Sequence, residues 1–329
     1  MPNVAIVGAT GAVGQEFLKI LAERKFPVDE LRLLATKRSA GKVISWQGRD
    51  LEVAETTDGS FKGIDIALFA GGSSSTEFAR PAVDSGAVVI DNSSAFRLDP
   101  EVPLVVPEVN PEDVRWHKGI IANPNCSTII MVVALKPILD LAGIRRVVVS
   151  TYQAVSGAGR EGIEELEAQT RAWAEGGEMV SQVFPCQIAF NLVPRIDVFQ
   201  EGDYTKEEWK MVKETRKIFH MPHIAVTATT VRVPVLRSHS ESINVETECK
   251  VSVAELKAAL AKAPGVIVQD DPARDRYPTP WFCADTDEVY VGRIREDFSI
   301  EQGFNLWVVG DQIRKGAATN AVQIAELLL

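Results

Sequence analysis

Cysteine is scarce. The four in 329 residues, Cys126, Cys186, Cys249 and Cys283, form no CxxC pair and no cluster with histidine. That spacing excludes a disulfide framework and a zinc site, so no metal is expected, and a reduced, cytosolic compartment fits. Long apolar runs are also missing. The most apolar stretches, 129–135 and 304–309, fall well short of the ~20 residues that span a bilayer, so no membrane role is expected. Positive charge is in deficit, with 35 Lys+Arg against 45 Asp+Glu and a formal net charge of −10. Such a chain repels nucleic acid and anionic lipid at long range, although a small anion in a locally basic pocket stays compatible with it. The sequence has no repeat, no low-complexity tract and no long charge run. It opens directly into the strand-like run 4–7 with no basic leader, which argues against a signal peptide.

What is present is a globular composition, 46% apolar and 24% charged, with enough material for a sizeable core and a length that favours two domains. In the first third, short apolar runs (4–7, 31–35, 64–70, 88–90, 120–122) are bounded by Gly, Asp or Pro, as suits strands buried on both faces of a parallel sheet. A helix over 13–23 places Val13, Phe17, Leu18 and Leu21 on one face. These features predict an α/β, doubly wound, Rossmann-like domain. From Cys126 the texture changes. Helices are expected over 127–141 (with Pro137 as a kink or break), 161–174, 205–219 and 254–263. Strands are expected over 146–155, 225–235, 243–251, 289–295 and 304–309. This is α+β texture with a mostly antiparallel sheet. An alanine-rich helix over 314–328 closes the chain.

Several segments carry candidate chemistry. Gly8-Ala9-Thr10-Gly11-Ala12-Val13-Gly14 follows the first strand and opens a helix, where glycines let the backbone approach a pyrophosphate and the helix N-terminus offers N–H groups. After the second strand comes Thr36-Lys37-Arg38-Ser39, with no acid to accept from a ribose 2′-hydroxyl. A 2′-phosphate suits this turn better, which favours NADP over NAD, and a solvated basic turn is the plainer alternative. In Asn123-Pro124-Asn125-Cys126-Ser127-Thr128, Cys126 falls where a helix begins, and the dipole there favours a thiolate. Spacing alone does not separate it from an ordinary buried thiol, which is how Cys186, Cys249 (in a strand) and Cys283 read. Thr205 and Glu208 have capping-box spacing. Glu207 and Lys210 share a helix face and read as an exposed ion pair. Arg232 lies inside an apolar strand, where a buried guanidinium needs a carboxylate or similar partner, and His239 follows just beyond it.

In succession GATGAVG, the GGSSS after Ala70, NSSAFR, NPNCST, QAVSGAGR, EEWKMVKET and the Arg232/His239 segment resemble the aspartate-semialdehyde dehydrogenase family over essentially the whole chain. The resemblance implies reversible, NADP-dependent interconversion of L-aspartate 4-semialdehyde plus phosphate with L-aspartyl 4-phosphate, supplying lysine, threonine, methionine and diaminopimelate synthesis, by a homodimer. It implies an NADP-binding domain from 1–125 plus 312–329, and a catalytic and dimerisation domain over 126–311. Residue by residue, Cys126 resembles the nucleophile that forms an acyl-thioester, His239 the acid/base, and Gln153 the group that orients substrate. Arg232 would hold the α-carboxylate and Glu207 the amino group, with Glu208 beside it as the alternative. Arg97 and Lys210 would hold phosphate, with Asn125 close by. Gly8, Thr10, Gly11, Ala12, Val13, Arg38, Ser39, Gly71, Ser156, Gly157 and Gln312 would contact NADP. Three rivals share parts of this pattern. N-acetyl-γ-glutamyl-phosphate reductase has a similar loop but no use for an acid at Glu207. A non-catalytic nucleotide-binding paralogue would be free to lose Cys126. A glyceraldehyde-phosphate type dehydrogenase lacks the NPNCST and EEWK contexts.

Overall fold

The structure, a computed structural model, describes all 329 residues. The chain forms two compact units: Met1–Asn125 with Lys217–Phe219 and Gly316–Leu329, and Cys126–Arg216 with His220–Lys315.

The first unit is built on strands β1 (Val4–Val7), β2 (Leu31–Ala35), β3 (Val43–Trp46), β4 (Arg49–Glu55), β5 (Ile66–Phe69), β6 (Val88–Asp91) and β7 (Ile120–Ala122). They lie in the order β3-β4-β2-β1-β5-β6-β7, parallel except for the β3–β4 hairpin. Helix α1 (Ala12–Glu23) buries Phe17, Leu18, Ile20 and Leu21 in one core with Val4, Ile6 and Leu33. Each such side chain contributes about 1.5–3 kcal/mol. Ala321, Val322, Ile324 and Ala325 of the C-terminal helix (Thr319–Glu326) enter the same core, and Arg24 grips Glu326 at 2.7 Å. Because β2 and β5 flank β1, the strand order reverses at the end of β1, which is where open α/β sheets form a crevice. Gly8 turns there with φ +85°, and Gly71 follows β5 with φ +108°.

The second unit starts with α3 (Cys126–Ala142). After it come β8 (Ile144–Gln153), α4 (Arg160–Ala174), α5 (Lys206–Ile218), β9 (Ala225–Arg232), β10 (His239–Thr247), α6 (Val253–Leu260), β11 (Val266–Val268), β12 (Val289–Glu296) and β13 (Gly303–Gly310). The six strands run β11-β12-β13-β10-β8-β9, with the three central pairings antiparallel and the two outer ones parallel. Helix α3 is hydrophobic all round from Ile129 to Leu135 and every one of those residues is buried.

Some expectations need correction. Pro137 does not break α3, which runs on to Ala142; the helix is held by burial of its preceding two turns. Strand β9 stops at Arg232 rather than 235, because Pro234 has no N–H for a ladder and the chain turns, Val235 N–H donating to the Val233 carbonyl. Strand β10 begins at His239 and ends at Thr247, so Cys249 lies outside it and is exposed, as is Cys186; only Cys283 is the buried thiol expected of all three. The closing helix starts as a wider π turn over Arg314–Ala318. The β3–β4 hairpin and α2 (Ser74–Asp84) are not among the expected elements; α2 buries only the small residues Ser75, Ala79 and Ala82 and carries Pro81 inside it.

Gly14 locks α1 against β1: a Cβ there would lie 2.2 Å from the Gly8 carbonyl oxygen and 2.7 Å from Ala9 Cα, both immovable backbone. Gly14→Ala is expected to cost about 2 kcal/mol or more, read as a lower urea midpoint; an unchanged midpoint would show that the turn is not close-packed.

Candidate active site

In the second unit, the inward face of the sheet presents its candidates in one row. Parallel pairing of β8 with β9 sets Gln153 beside Arg232. On the other side of β8, the Ala154 N–H donates to His239 Nδ1 at 3.1 Å. Gln153, Arg232 and His239 are all buried, His239 completely. At the head of α3, Ser127 accepts a hydrogen bond from Gln153 Nε2, so Cys126 opens its helix next to this row. The four N–H groups of a helix's first turn lack intrahelical partners, and their dipole favours negative charge on Cys126. Arg232 adds to this: its guanidinium is attracted to both Glu207 and Cys126, although burial is the larger influence and lowers its own affinity for the proton.

Glu207 and Glu208, left open above, have separate environments. Glu208 completes the capping box, accepting from Thr205 N–H at 2.7 Å while its own N–H donates to Thr205 Oγ1 at 3.3 Å; its second oxygen accepts from Thr230 N–H at 3.0 Å. Glu207 turns to the row instead. It accepts from Gln153 Nε2 at 3.1 Å and from Lys210 Nζ at 3.0 Å, and Lys210 also reaches Asp197 at 3.2 Å. The expected exposed ion pair is therefore largely enclosed, with Glu207 at 6% and Lys210 at 19% side-chain exposure.

Arg232 is fixed by a 2.7 Å bond to the Ala154 carbonyl, with Phe184 6.0 Å from its guanidinium carbon. The glycine-rich loop packs on it. A Cβ on Gly157 would sit 2.6 Å from Arg232 Nη1 and 3.1 Å from His239 Cε1, so only glycine leaves both in place. Next to Gly157, Ser156 accepts from Gln312 Nε2, and Gln312 Oε1 accepts from Ser238 N–H at 2.8 Å. Ser238 is left-handed, φ +72°, a conformation that costs about 1 kcal/mol outside glycine. The Gln312 bond holds that turn and thereby aims His239.

His239 Nδ1 accepts a backbone N–H, so the neutral ring carries its proton on Nε2, which has no partner within the protein. Burial first, then Arg232, lower its pKa to about 3, against an opposing pull from Glu207. The ring is a neutral donor at working pH.

In the first unit, Arg97 is buried and donates to the Asn123 carbonyl at 2.9 Å and the Asn92 carbonyl at 2.8 Å. Asn123, Asn92 and Asn320 are joined by side-chain bonds of 2.6 Å. Asn125, also buried, is the last residue of this unit's main segment. Gly8, Thr10, Gly11, Ala12 and Val13 form the β1–α1 turn, and Gly11 provides no side-chain cap to α1. Arg38 and Ser39 lie in the single 3-10 turn after β2. Sequence reasoning missed Ser127, Asp197, Phe184 and the Ala154 amide as supports of the site. None belongs to a residue pattern with chemical meaning, and only tertiary pairing brings them in.

Two outcomes follow. At mildly acidic pH, iodoacetamide is expected to modify Cys126 about tenfold or more faster than the more exposed Cys186 and Cys249, with Cys283, pushed up to about 12 chiefly by burial, unmodified; faster reaction at Cys186 or Cys249 would mean that Cys126 is not activated. Unfolded histidine titrates near 6.5, so the folded protein binds fewer protons between there and about 3, and stability is lost as pH falls through that window. His239→Gln should flatten this part of the urea-midpoint profile; an unaltered slope would mean that His239 is charged in the folded state.

Comparison with known proteins agrees with this architecture. The profile of the semialdehyde dehydrogenase NAD binding domain matches residues 3–117, and that of the semialdehyde dehydrogenase dimerisation domain matches 135–315. An aspartate-semialdehyde dehydrogenase of Aquifex aeolicus is 64% identical over 99% of this chain and 98% of its own. The crystal structure of aspartate semialdehyde dehydrogenase II from Vibrio cholerae, complexed with ASA, superposes with a TM-score of 0.97 at 50% identity, covering 100% of this chain and 98% of that one. The Candida albicans enzyme with NADP gives 0.75 at 29% identity, with the same coverages. The row of Cys126, Gln153, Arg232 and His239 on an NAD-binding and dimerisation architecture thus has full-length relatives of one kind, and the chain belongs to the aspartate-semialdehyde dehydrogenase family of oxidoreductases.

Proposed function

We propose that the protein catalyses the reversible, NADP-dependent reductive dephosphorylation of L-aspartyl 4-phosphate to L-aspartate 4-semialdehyde through an acyl-thioester on Cys126. It would act in the cytoplasm, as a homodimer, in lysine, threonine, methionine and diaminopimelate synthesis. One observation carries the chemistry: a cysteine at a helix head, within the field of a buried arginine, beside an enclosed glutamate and a neutral imidazole whose Nε2 is unpartnered.

The thiolate form of Cys126, favoured by the α3 dipole and by Arg232, attacks the acyl phosphate carbonyl. The C–S bond forms, the C–O bond to phosphate breaks and phosphate departs with the electron pair. His239 Nε2–H donates to the carbonyl oxygen as negative charge gathers there. This is the acid half of the expected acid/base role, and a ring whose Nδ1 already accepts a backbone N–H is suited to it. Once the carbonyl carbon has been reduced, collapse of the tetrahedral adduct releases the aldehyde and returns the thiolate, so His239 need not change its net charge. Gln153, tied to Ser127 and Glu207, fixes the substrate chain. Arg232 matches an α-carboxylate in a two-pronged fork, and Glu207 matches an ammonium. That last pairing favours a free amino acid over an N-acylated one, whose nitrogen carries no charge. Of the cations assigned to phosphate, Lys210 is held by Glu207 and Asp197, and Arg97 is fixed on backbone carbonyls of the first unit.

The residues present fit a dinucleotide. The β1–α1 turn has uncapped helix N–H groups, Gly14 permits close packing of α1 on β1, and β2 ends in a turn with Arg38 and Ser39 but no acid, which supports NADP. Gly8, Thr10–Val13, Arg38, Ser39 and Gly71 of the first unit would hold it. When bound, NADP(H) supplies the hydride acceptor or donor.

Phosphate-dependent reduction of NADP with aspartate semialdehyde tests this reading. Cys126→Ala should abolish turnover while the protein still folds, and substantial residual turnover would exclude the nucleophile. Arg232→Lys should raise the semialdehyde KM at least about tenfold, since an ammonium cannot reproduce the fork; an unchanged KM would move the carboxylate site elsewhere. Preference for N-acetylglutamate semialdehyde would favour the acetylated-substrate reductase.

A further inference from the structure

One pair of residues below the catalytic row, the sheet carries a second polar row. Glu241 on β10 lies directly opposite Thr151 on β8, and Thr151 directly beside Thr230 on β9. Directly opposed residues share a face, and strand alternation puts Glu241 on the same face as His239 two positions earlier. The row beneath, Ala228, Val149, Ile243 and Leu306, is apolar core. Glu241 therefore stands at the boundary between the chemistry and the core, fully enclosed.

It differs from the other fully enclosed acids. Asp91 accepts from Ser75, Ser93 Oγ and the Ser93 N–H, and Asp311 pairs with Arg237 and caps three backbone N–H groups. Neither carboxyl oxygen of Glu241 has a protein partner, and the Thr151 hydroxyl opposite has none either. An uncompensated carboxylate in such a place is costly, and a leucine would fill it at no such cost. A carboxylic acid and a hydroxyl facing each other across two strands form a donor-and-acceptor pair suited to an internal water.

We propose that Glu241 is a positioning residue: as a neutral carboxylic acid it holds, with Thr151, an internal water beneath Gln153 and His239, and this layer sets where those two side chains stand. The surroundings agree. Burial, and then the charge of Glu207 on α5, raise its pKa well above the usual carboxylate range. The other charged or titratable groups of the site are Arg232 on β9, His239 on β10, Cys126 on α3, Glu208 and Lys210 on α5, and Asp197, which pairs with Lys210. Strand β8 faces Glu241 with Thr151 and β13 with Val308, neither of which titrates in the working range.

Three readouts test this. Infrared spectroscopy of the intact protein at neutral pH should show the carbonyl stretch of a protonated carboxylic acid that disappears in Glu241→Gln; absence of such a band, or its persistence in the variant, would overturn the proposal. Because unfolded glutamate ionises above pH 4.5 while the folded group keeps its proton, wild-type stability is lost as pH rises through that value. The Tm of Glu241→Gln should therefore exceed wild type by a margin that grows with pH, and a constant margin would contradict it. The kinetic arm rests on the activity proposed above. Glu241→Gln, still a neutral donor and acceptor, should keep kcat within about threefold, and Glu241→Leu should lower kcat about ten- to a hundredfold with KM little changed. Wild-type kcat in Glu241→Leu would overturn the positioning role. Should that variant not fold, the first two readouts still decide, and neither depends on the substrate.

Discussion

A guanidinium enclosed among β-strands has to be matched by fixed polar groups, and that requirement organises the second unit. Arg232 sits at the end of β9 with a carbonyl, an aromatic face, a carboxylate and the head of α3 around it. Each support comes from a different element, so the arginine is in place only when β8, β9, α3 and α5 have assembled. Its charge then acts in two directions: it stabilises a thiolate at Cys126, and it helps to keep His239 neutral. One buried cation thus bears on both Cys126 and His239, with burial the larger influence on the imidazole.

The arrangement divides labour between fixed and exchangeable charges. The Glu207–Lys210–Asp197 chain keeps carboxylates and ammonium matched at close range, leaving each able to exchange a partner for an incoming charged group. Burial keeps His239 without net charge, and it raises the pKa of Glu241 two positions along the same strand face. A buried site that avoids creating new isolated charges keeps its barriers low, since desolvating an unpaired ion costs several kcal/mol. The small-residue loop over it serves the same end, because Gly157 lets the arginine and imidazole sit against backbone with no side chain between them.

Much of this was legible in the sequence. The β1–α1 glycine turn, the change of texture at Cys126 and the periodic helices come from local pattern, and both sheets have the expected class of topology. Motif order named candidates that the second unit brings together, yet the residue-level reading of Glu207 as an exposed pair failed, because burial depends on how α5 docks. The capping geometry of Glu208 was readable from Thr205, three residues away. Glu241 was not: it lies before the strand expected from 243, and only the pairing of β10 from His239 turns it inward. Cys249 was misplaced for the converse reason, since the strand pattern continues past the bulge at Glu246/Thr247 where pairing ends.

The proposed chemistry stands or falls on an acyl group carried by Cys126. Acid-quenched mass spectrometry of the protein mixed with aspartate semialdehyde and NADP, with phosphate left out, tests it most directly. One aspartyl adduct per chain is expected on the peptide containing Cys126, discharged when phosphate is added before the quench. No adduct, or an adduct on Cys186, Cys249 or Cys283, would contradict it.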